Sequence, residues 1–209
     1  MRQQNMSKKP VFPADFPRGK VAYFVTSNVH KFLEARAILA EHKISAAKLK
    51  VEAVEIQDEK LENIARYSAL DAVKNCGLPV FVEDAGIFID ALGGFPGPYS
   101  KHIYHTIGLD GVLKLMAGVE NRDAYFMSVI CFGGPDLEPT CFVGKVKGTI
   151  SFEKMGESGF GYDPIFVPVA GDGRTFAEMS SEEKNGFSHR GMALRSFAEW
   201  FSCAGKRIF

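Results

Sequence analysis

From Lys20 onward the chain alternates short continuous apolar runs with stretches of helical periodicity, and this alternation limits the fold more than any other feature. Val21-Ala22-Tyr23-Phe24-Val25 is an unbroken apolar run, the mark of a strand buried on both faces. After Thr26-Ser27-Asn28, the apolar residues Phe32, Ala35, Ile38 and Leu39 recur at helical spacing. Leu49 to Ile56 reads as a second strand. Leu61, Ile64, Ala65, Ser68 and Ala72 then mark a helix that Gly77 ends ahead of Pro79. Pro79 to Glu83 is a third buried strand. A β-α-β-α-β order predicts an α/β sheet layered by helices.

The second half changes character. Gly93 to Pro98 holds too many Gly and Pro residues for either regular element, and helical segments follow through Met116. Ala124 to Cys131 and Thr140 to Ile150 read as long strands joined by a turn at Gly133-Gly134-Pro135-Asp136. A last helix runs from Ser188 to about Cys203, with Leu194, Phe197, Ala198 and Phe201 on one face. Residues 1–19 carry Pro10, Pro13 and Pro17 without periodicity and read as a flexible basic tail; residues 20–209 read as a single domain.

Composition narrows the function classes. Lys+Arg and Asp+Glu are equal at 25 each, so no global positive field exists to hold duplex nucleic acid, and no stable nucleic-acid partner is expected. No apolar run approaches the roughly 18 residues of a membrane span, and the first residues lack the hydrophobic stretch of a signal peptide. The expectation is a cytoplasmic protein. Cys76, Cys131, Cys141 and Cys203 show no CxxC spacing, so neither a zinc knuckle nor a disulfide scaffold is predicted, and the thiols are expected to be reduced.

Several positions suggest phosphate chemistry. Asn28 is suited to cap the first helix, yet Lys31 in its first turn has the wrong sign for the helix dipole. A bound anion would reverse that cost; a solvated lysine is the plainer reading. Ser188 can cap the last helix, and His189 and Arg190 repeat the anomaly. Ser180 and Glu183 form a capping-box pattern with Lys184 directly after. Glu83 and Asp84 leave a buried strand together, which requires solvation, pairing or a metal, and Glu55 projects beside them if the strands are neighbours. Three acids near cationic helix starts suit Mg²⁺ with a polyphosphate. In Gly159-Phe160-Gly161-Tyr162-Asp163-Pro164, paired glycines let a ring stack on a base, or the aromatics plug the core.

Together these blocks resemble the inosine triphosphate pyrophosphatase family, the non-canonical purine NTP pyrophosphatases. The resemblance rests on Thr26-Ser27-Asn28 with Lys31 and Glu34, Val82-Glu83-Asp84, Ala91 to Tyr99, Gly159 to Pro164, Thr175 to Met179, Glu183-Lys184-Asn185 and Ser188-His189-Arg190, in order across about residues 20–203. It implies an elongated mixed β-sheet flanked by helices, with two lobes around a central substrate cleft. It also implies a Mg²⁺-dependent homodimer that hydrolyses ITP, dITP and XTP to the monophosphate and pyrophosphate. On this chain Thr26, Ser27, Asn28 and Lys31 would hold phosphates, completed by Lys101 and Lys184. Glu55 and Asp84 would bind Mg²⁺, with Asp84 and Lys31 catalytic. Phe160, Gly161, Tyr162, Asp163, His189 and Arg190 would enclose the base. Ala85, also expected against substrate, stands where Ser or Thr is common and lacks a hydroxyl. Ser27 replaces a frequent Gly, and Ser68 replaces a Lys of some relatives. A related pyrophosphatase of the Maf-like type and a non-catalytic nucleotide sensor are the alternatives.

Overall fold

The computed structural model describes residues 20–51, 54 and 56–208, with side chains to Cys203; the predicted tail and Glu55 lie outside the described residues. A seven-stranded mixed sheet runs in the order β2-β1-β3-β5-β6-β7. Its strands are β1 (Val21–Val25), β2 (Ser45–Leu49), β3 (Val80–Ile89), β4 (Pro96–Gly97), β5 (Asp123–Gly134), β6 (Leu137–Ile150) and β7 (Phe166–Pro168). The short β4 pairs with β3 off that path. Six α-helices flank the sheet among the described residues: α1 (Val29–Glu41), α2 (Leu61–Cys76), α3 (Ser100–Thr106), α4 (Gly108–Leu115), α5 (Ser181–Phe187) and α6 (His189–Ile208). None of the described helices is long and apolar enough to cross a membrane.

Strands β1, β2 and β3 are parallel, as helical crossovers require, while β3, β5, β6 and β7 pair antiparallel. The second strand is corrected: it spans Ser45–Leu49, in register with Val21–Val25, and not Leu49 to Ile56. An edge strand with one face against α1 needs few large apolar residues, so Ser45-Ala46-Ala47-Lys48-Leu49 gave little signal. The third strand continues past Glu83 to Ile89, and β7 and β4 were too short to show in any pattern. The hairpin turn falls as predicted, with Asp136 at φ 60 between β5 and β6.

The long strands carry three apolar clusters. Phe24, Phe81, Ile130, Phe132 and Phe197 pack between the sheet and helices α1 and α6. Val25, Val82, Val129 and Cys131 pack under α2 on the opposite face. At the far end, Ile87, Ile89, Phe126, Phe166 and Phe176 form a separate cluster with Val112 and Met116. Cys131 and Cys141 are register partners on β5 and β6 with Cα atoms 4.1 Å apart, and the structure joins them as a disulfide. This corrects the expectation of reduced thiols for that pair, which only strand register could reveal. Cys76 and Cys203 are free.

Candidate active site

The site forms where β1 stops and β3 continues, at the carboxyl end of the parallel strands where α/β sheets open a crevice. Asn28 caps α1 as predicted: its Oδ1 accepts the Lys31 backbone N–H at 3.1 Å, and its own N–H donates to Thr26 Oγ1 at 3.1 Å. Ser27 is exposed and is not among the residues of positive φ, so the turn accepts a serine where glycine is frequent. The Lys31 ammonium crosses to β3, lying 2.8 Å from Glu83 Oε2 and 3.3 Å from the Glu83 carbonyl.

Glu83 begins a line of alternating charges. Its Oε1 accepts from Arg190 Nε at 3.1 Å and from Ser128 Oγ at 2.6 Å. Arg190 Nη1 reaches Glu34 Oε2 at 2.6 Å, and Glu34 Oε1 meets Lys184 Nζ at 2.9 Å. Lys184 ends on Asp163 Oδ2 at 2.6 Å. Burial opposes ionisation of Glu83, but the Arg190 guanidinium and Lys31 outweigh it and hold the carboxyl down at about 2. Glu34 is lowered in the same way, against burial, by Arg190 and Lys184. Burial raises Asp163 despite Lys184.

Internal carboxylates therefore answer the cations at both helix starts. Sequence alone offered a bound anion or a solvated lysine for Lys31; the structure supplies Glu83 as a third possibility. It also separates the acid pair. Successive strand residues point to opposite faces, so Glu83 turns with Phe81 toward α1 and α6, while Asp84 turns with Val82 toward the α2 side. Asp84 Oδ1 accepts the Ala85 N–H at 3.0 Å. Val54 is tied to that same side by its N–H to Asp71 of α2 at 2.9 Å.

Close packing delivers Arg190. The first turn of α6 lies on β6 at Gly144, where a Cβ would strike the His189 carbonyl and come within 2.7 Å of Ala193 N. Ser188 Oγ accepts the Gly191 N–H at 3.1 Å as the cap. The predicted capping box of α5 is present, with Ser180 N–H donating to Glu183 Oε2 at 2.8 Å, and Lys184 follows it in the last turn of that short helix. His189 is buried and stacked on Phe126 at 4.5 Å, with Nδ1 lacking a hydrogen-bond partner among the described residues. Burial, then Arg190 and Lys184, lower it well below the usual histidine range, so the imidazole is neutral.

Phe160 is presented by the glycine turn. Gly159 has φ 73, and a Cβ there would enter the Asp163 carboxylate. Asp163 Oδ2 accepts the Phe160 N–H at 2.8 Å. The Lys184 ammonium and the Arg190 guanidinium stand 4.9 and 5.3 Å from the ring centroid. Tyr162 is buried, and its hydroxyl donates to the Ser100 carbonyl at 2.9 Å, which burial accompanies by raising its pKa. Ser100 Oγ in turn accepts the Ile87 N–H at 2.9 Å and donates to the Gly97 carbonyl at 2.6 Å. Lys101 follows on the exposed side of α3.

Lys31, Glu83, Phe160, Asp163, Lys184, His189 and Arg190 thus converge, while Asp84 lies on the opposite face of β3. Sequence reasoning gave no role to Glu34, Ser128, Gly144 or His30; only Glu34 had a signal, standing in the Asn28–Lys31–Glu34 motif. Among the described residues no three His, Cys, Asp or Glu side chains gather as a metal cage. Mg²⁺ needs none, since one or two carboxylates with substrate phosphates complete its shell. Glu83 is occupied by its cations, and the carboxylate of Asp84 carries the hard oxygens that such an ion takes.

An open mixed sheet with a line of opposed charges at its parallel strand ends defines an α/β protein with a charged site beside the first helix. A family model for the Ham1 family matches residues 22–200, and the chain belongs to that family. It is 48% identical over 178 residues to the dITP/XTP pyrophosphatase of Methanopyrus kandleri, covering 85% of this chain and 94% of that protein. It is 49% identical over 177 residues to the dITP/XTP pyrophosphatase of Thermococcus kodakarensis, covering 85% and 95%. Among solved structures, a HAM1 protein from Coxiella burnetii aligns with a TM-score of 0.77 at 30% identity, covering 87% of this chain and 98% of that one.

Proposed function

We propose that this protein hydrolyses non-canonical purine nucleoside triphosphates (ITP, dITP and XTP) to the monophosphate and pyrophosphate, clearing them from the nucleotide pool. The observation that carries the reading is the convergence of the capped Lys31 turn and the Phe160 ring through the Glu83, Arg190 and Lys184 charges, in a chain whose relatives bear the name dITP/XTP pyrophosphatase.

On this reading the N–H groups of the first α1 turn, with Thr26, Ser27, Asn28 and Lys31, bind the phosphates. Lys101 and Lys184 complete the grip, and Ala85 lines the substrate beside Asp84. Asp84, with Glu55, holds Mg²⁺, which when bound neutralises charge on the phosphate oxygens. Asp84 also orients water for attack on the α-phosphorus and accepts its proton. Lys31 opposes the charge that develops as pyrophosphate leaves.

Phe160 to Asp163, His189 and Arg190 enclose the base. A donor from His189 or Arg190 aimed at the 6-position suits the oxo group of hypoxanthine and xanthine and leaves adenine's amino group mismatched, a discrimination that reaches about 10⁴-fold for buried polar groups. The unpartnered His189 Nδ1 supports this, because a buried polar atom without a partner is costly. Homodimerisation, which rests on the family resemblance, and a cytoplasmic location complete the proposal. The test is product analysis across ITP, dITP, XTP, GTP and ATP with Mg²⁺. Pyrophosphate released from the first three is expected; orthophosphate, or preference for pyrimidine nucleotides, would overturn the reading.

A further inference from the structure

Phe160 is half-buried, and its backbone is held in the glycine turn. Its N–H is held by Asp163, and the two cations near its centroid, Lys184 and Arg190, each expose only 3%. Those neighbours reach the ring from the protein interior. The remaining ring partner is different: the imidazole of His30 stacks on Phe160 with centroids 5.1 Å apart and planes 20° from parallel. His30 is exposed and lies in the first turn of α1, two residues past the Asn28 cap. At that separation the rings are in direct contact, with no space for a third between them.

We propose that His30 is a gate for the purine, covering the solvent-side face of Phe160 and competing with the nucleobase for it. The inference rests on the base-binding role given to Phe160 above. A base can stack there only after the imidazole rotates away, which needs side-chain torsions alone because the first turn of α1 is held by its cap and not by His30. When a site is open for only part of the time, apparent affinity falls by the open fraction. A ring pair of this kind costs the incoming base roughly three- to tenfold in affinity. The His30 imidazole thereby sets KM without touching the reacting phosphates and favours bases that stack more strongly than imidazole.

The test pairs kinetics with a spectroscopic readout. His30→Ala should lower KM for ITP roughly three- to tenfold and leave kcat within about twofold. In the full-length wild-type protein the His30 ring protons should show a ring-current shift by NMR. That shift should vanish in Phe160→Leu and disappear as IMP is titrated in. An unchanged KM overturns the gate, and a raised KM overturns it in favour of an imidazole that packs on the bound base. A His30 signal indifferent to both IMP and Phe160→Leu also overturns it. Absence of pyrophosphate release by the wild type is a separate result: it removes the proposed activity, while the IMP titration still decides whether a base displaces His30.

Discussion

At the scale of single residues, the neighbours Glu83 and Asp84 have different work. Glu83 is an internal counter-ion and Asp84 the proposed proton acceptor. Asp84→Asn is expected to lose at least about 10²-fold in kcat with little change in melting temperature; turnover near wild type would remove Asp84 from the chemistry. Glu83 answers instead to pH. Its carboxyl is held at about 2 against an ordinary value of 4.5, so its stabilisation is complete above the higher value and is lost as pH falls toward the lower. The full shift corresponds to roughly 3 kcal/mol. Glu34 acts in the same direction; Asp163, raised by burial, acts oppositely. His189, buried as the neutral form, adds a loss that begins as pH drops below its ordinary 6.5. Unfolding free energy followed from pH 7 to pH 3 should therefore fall, and Glu83→Gln should flatten the acid limb by about one proton. An identical slope in that variant would contradict the assigned ion pairs.

At the scale of elements, the question is what local sequence can encode. The Asn28 cap, the Gly77 terminus at φ 67 and the Ser180–Glu183 box were legible because each is completed within a few residues. The edge strand β2 was not, since its small and charged residues obey a tertiary environment and not a propensity. Lys31 with Glu83 and Arg190 with Glu83 join positions 52 and 107 residues apart, so the sequence displayed the cations but not their partners. Gly144 was equally silent, as nothing nearby reveals that α6 presses on that spot. Gly144→Ala must push the first α6 turn outward, with an expected cost of about 1–3 kcal/mol and a raised KM. Chemical denaturation checks the first and nucleotide saturation curves the second. Wild-type values for both would mean that α6 is not fixed there.

For the molecule as a whole, the crevice falls between two packed regions. Ser128 marks the midpoint of β5, with the Phe24–Phe81–Phe197 and Val82–Val129 clusters toward one end and the Phe126–Phe166–Phe176 cluster toward the other. Tyr162 ties the far region back to β3 through Ser100. A ligand seated in the crevice is expected to stabilise the entire fold. At IMP about 100-fold above Kd with Mg²⁺, the gain is about 2.7 kcal/mol, or about 5–10 °C in melting temperature. Thermal scans with and without ligand measure it, and no shift at saturation would place binding elsewhere. Chelation of divalent ions should abolish pyrophosphate release and leave the ligand-free melting temperature unmoved.

The six charges running Lys31, Glu83, Arg190, Glu34, Lys184, Asp163 have a genetic consequence. Removing any interior member strands two oppositely charged neighbours away from water, at a typical cost of about 3–5 kcal/mol. Substitutions along the line are therefore strongly epistatic, tolerable in compensating combinations and harmful singly. Substitutions that retune substrate preference are therefore expected to be tolerated better at exposed neighbours such as His30, which can change without disturbing the balance beneath.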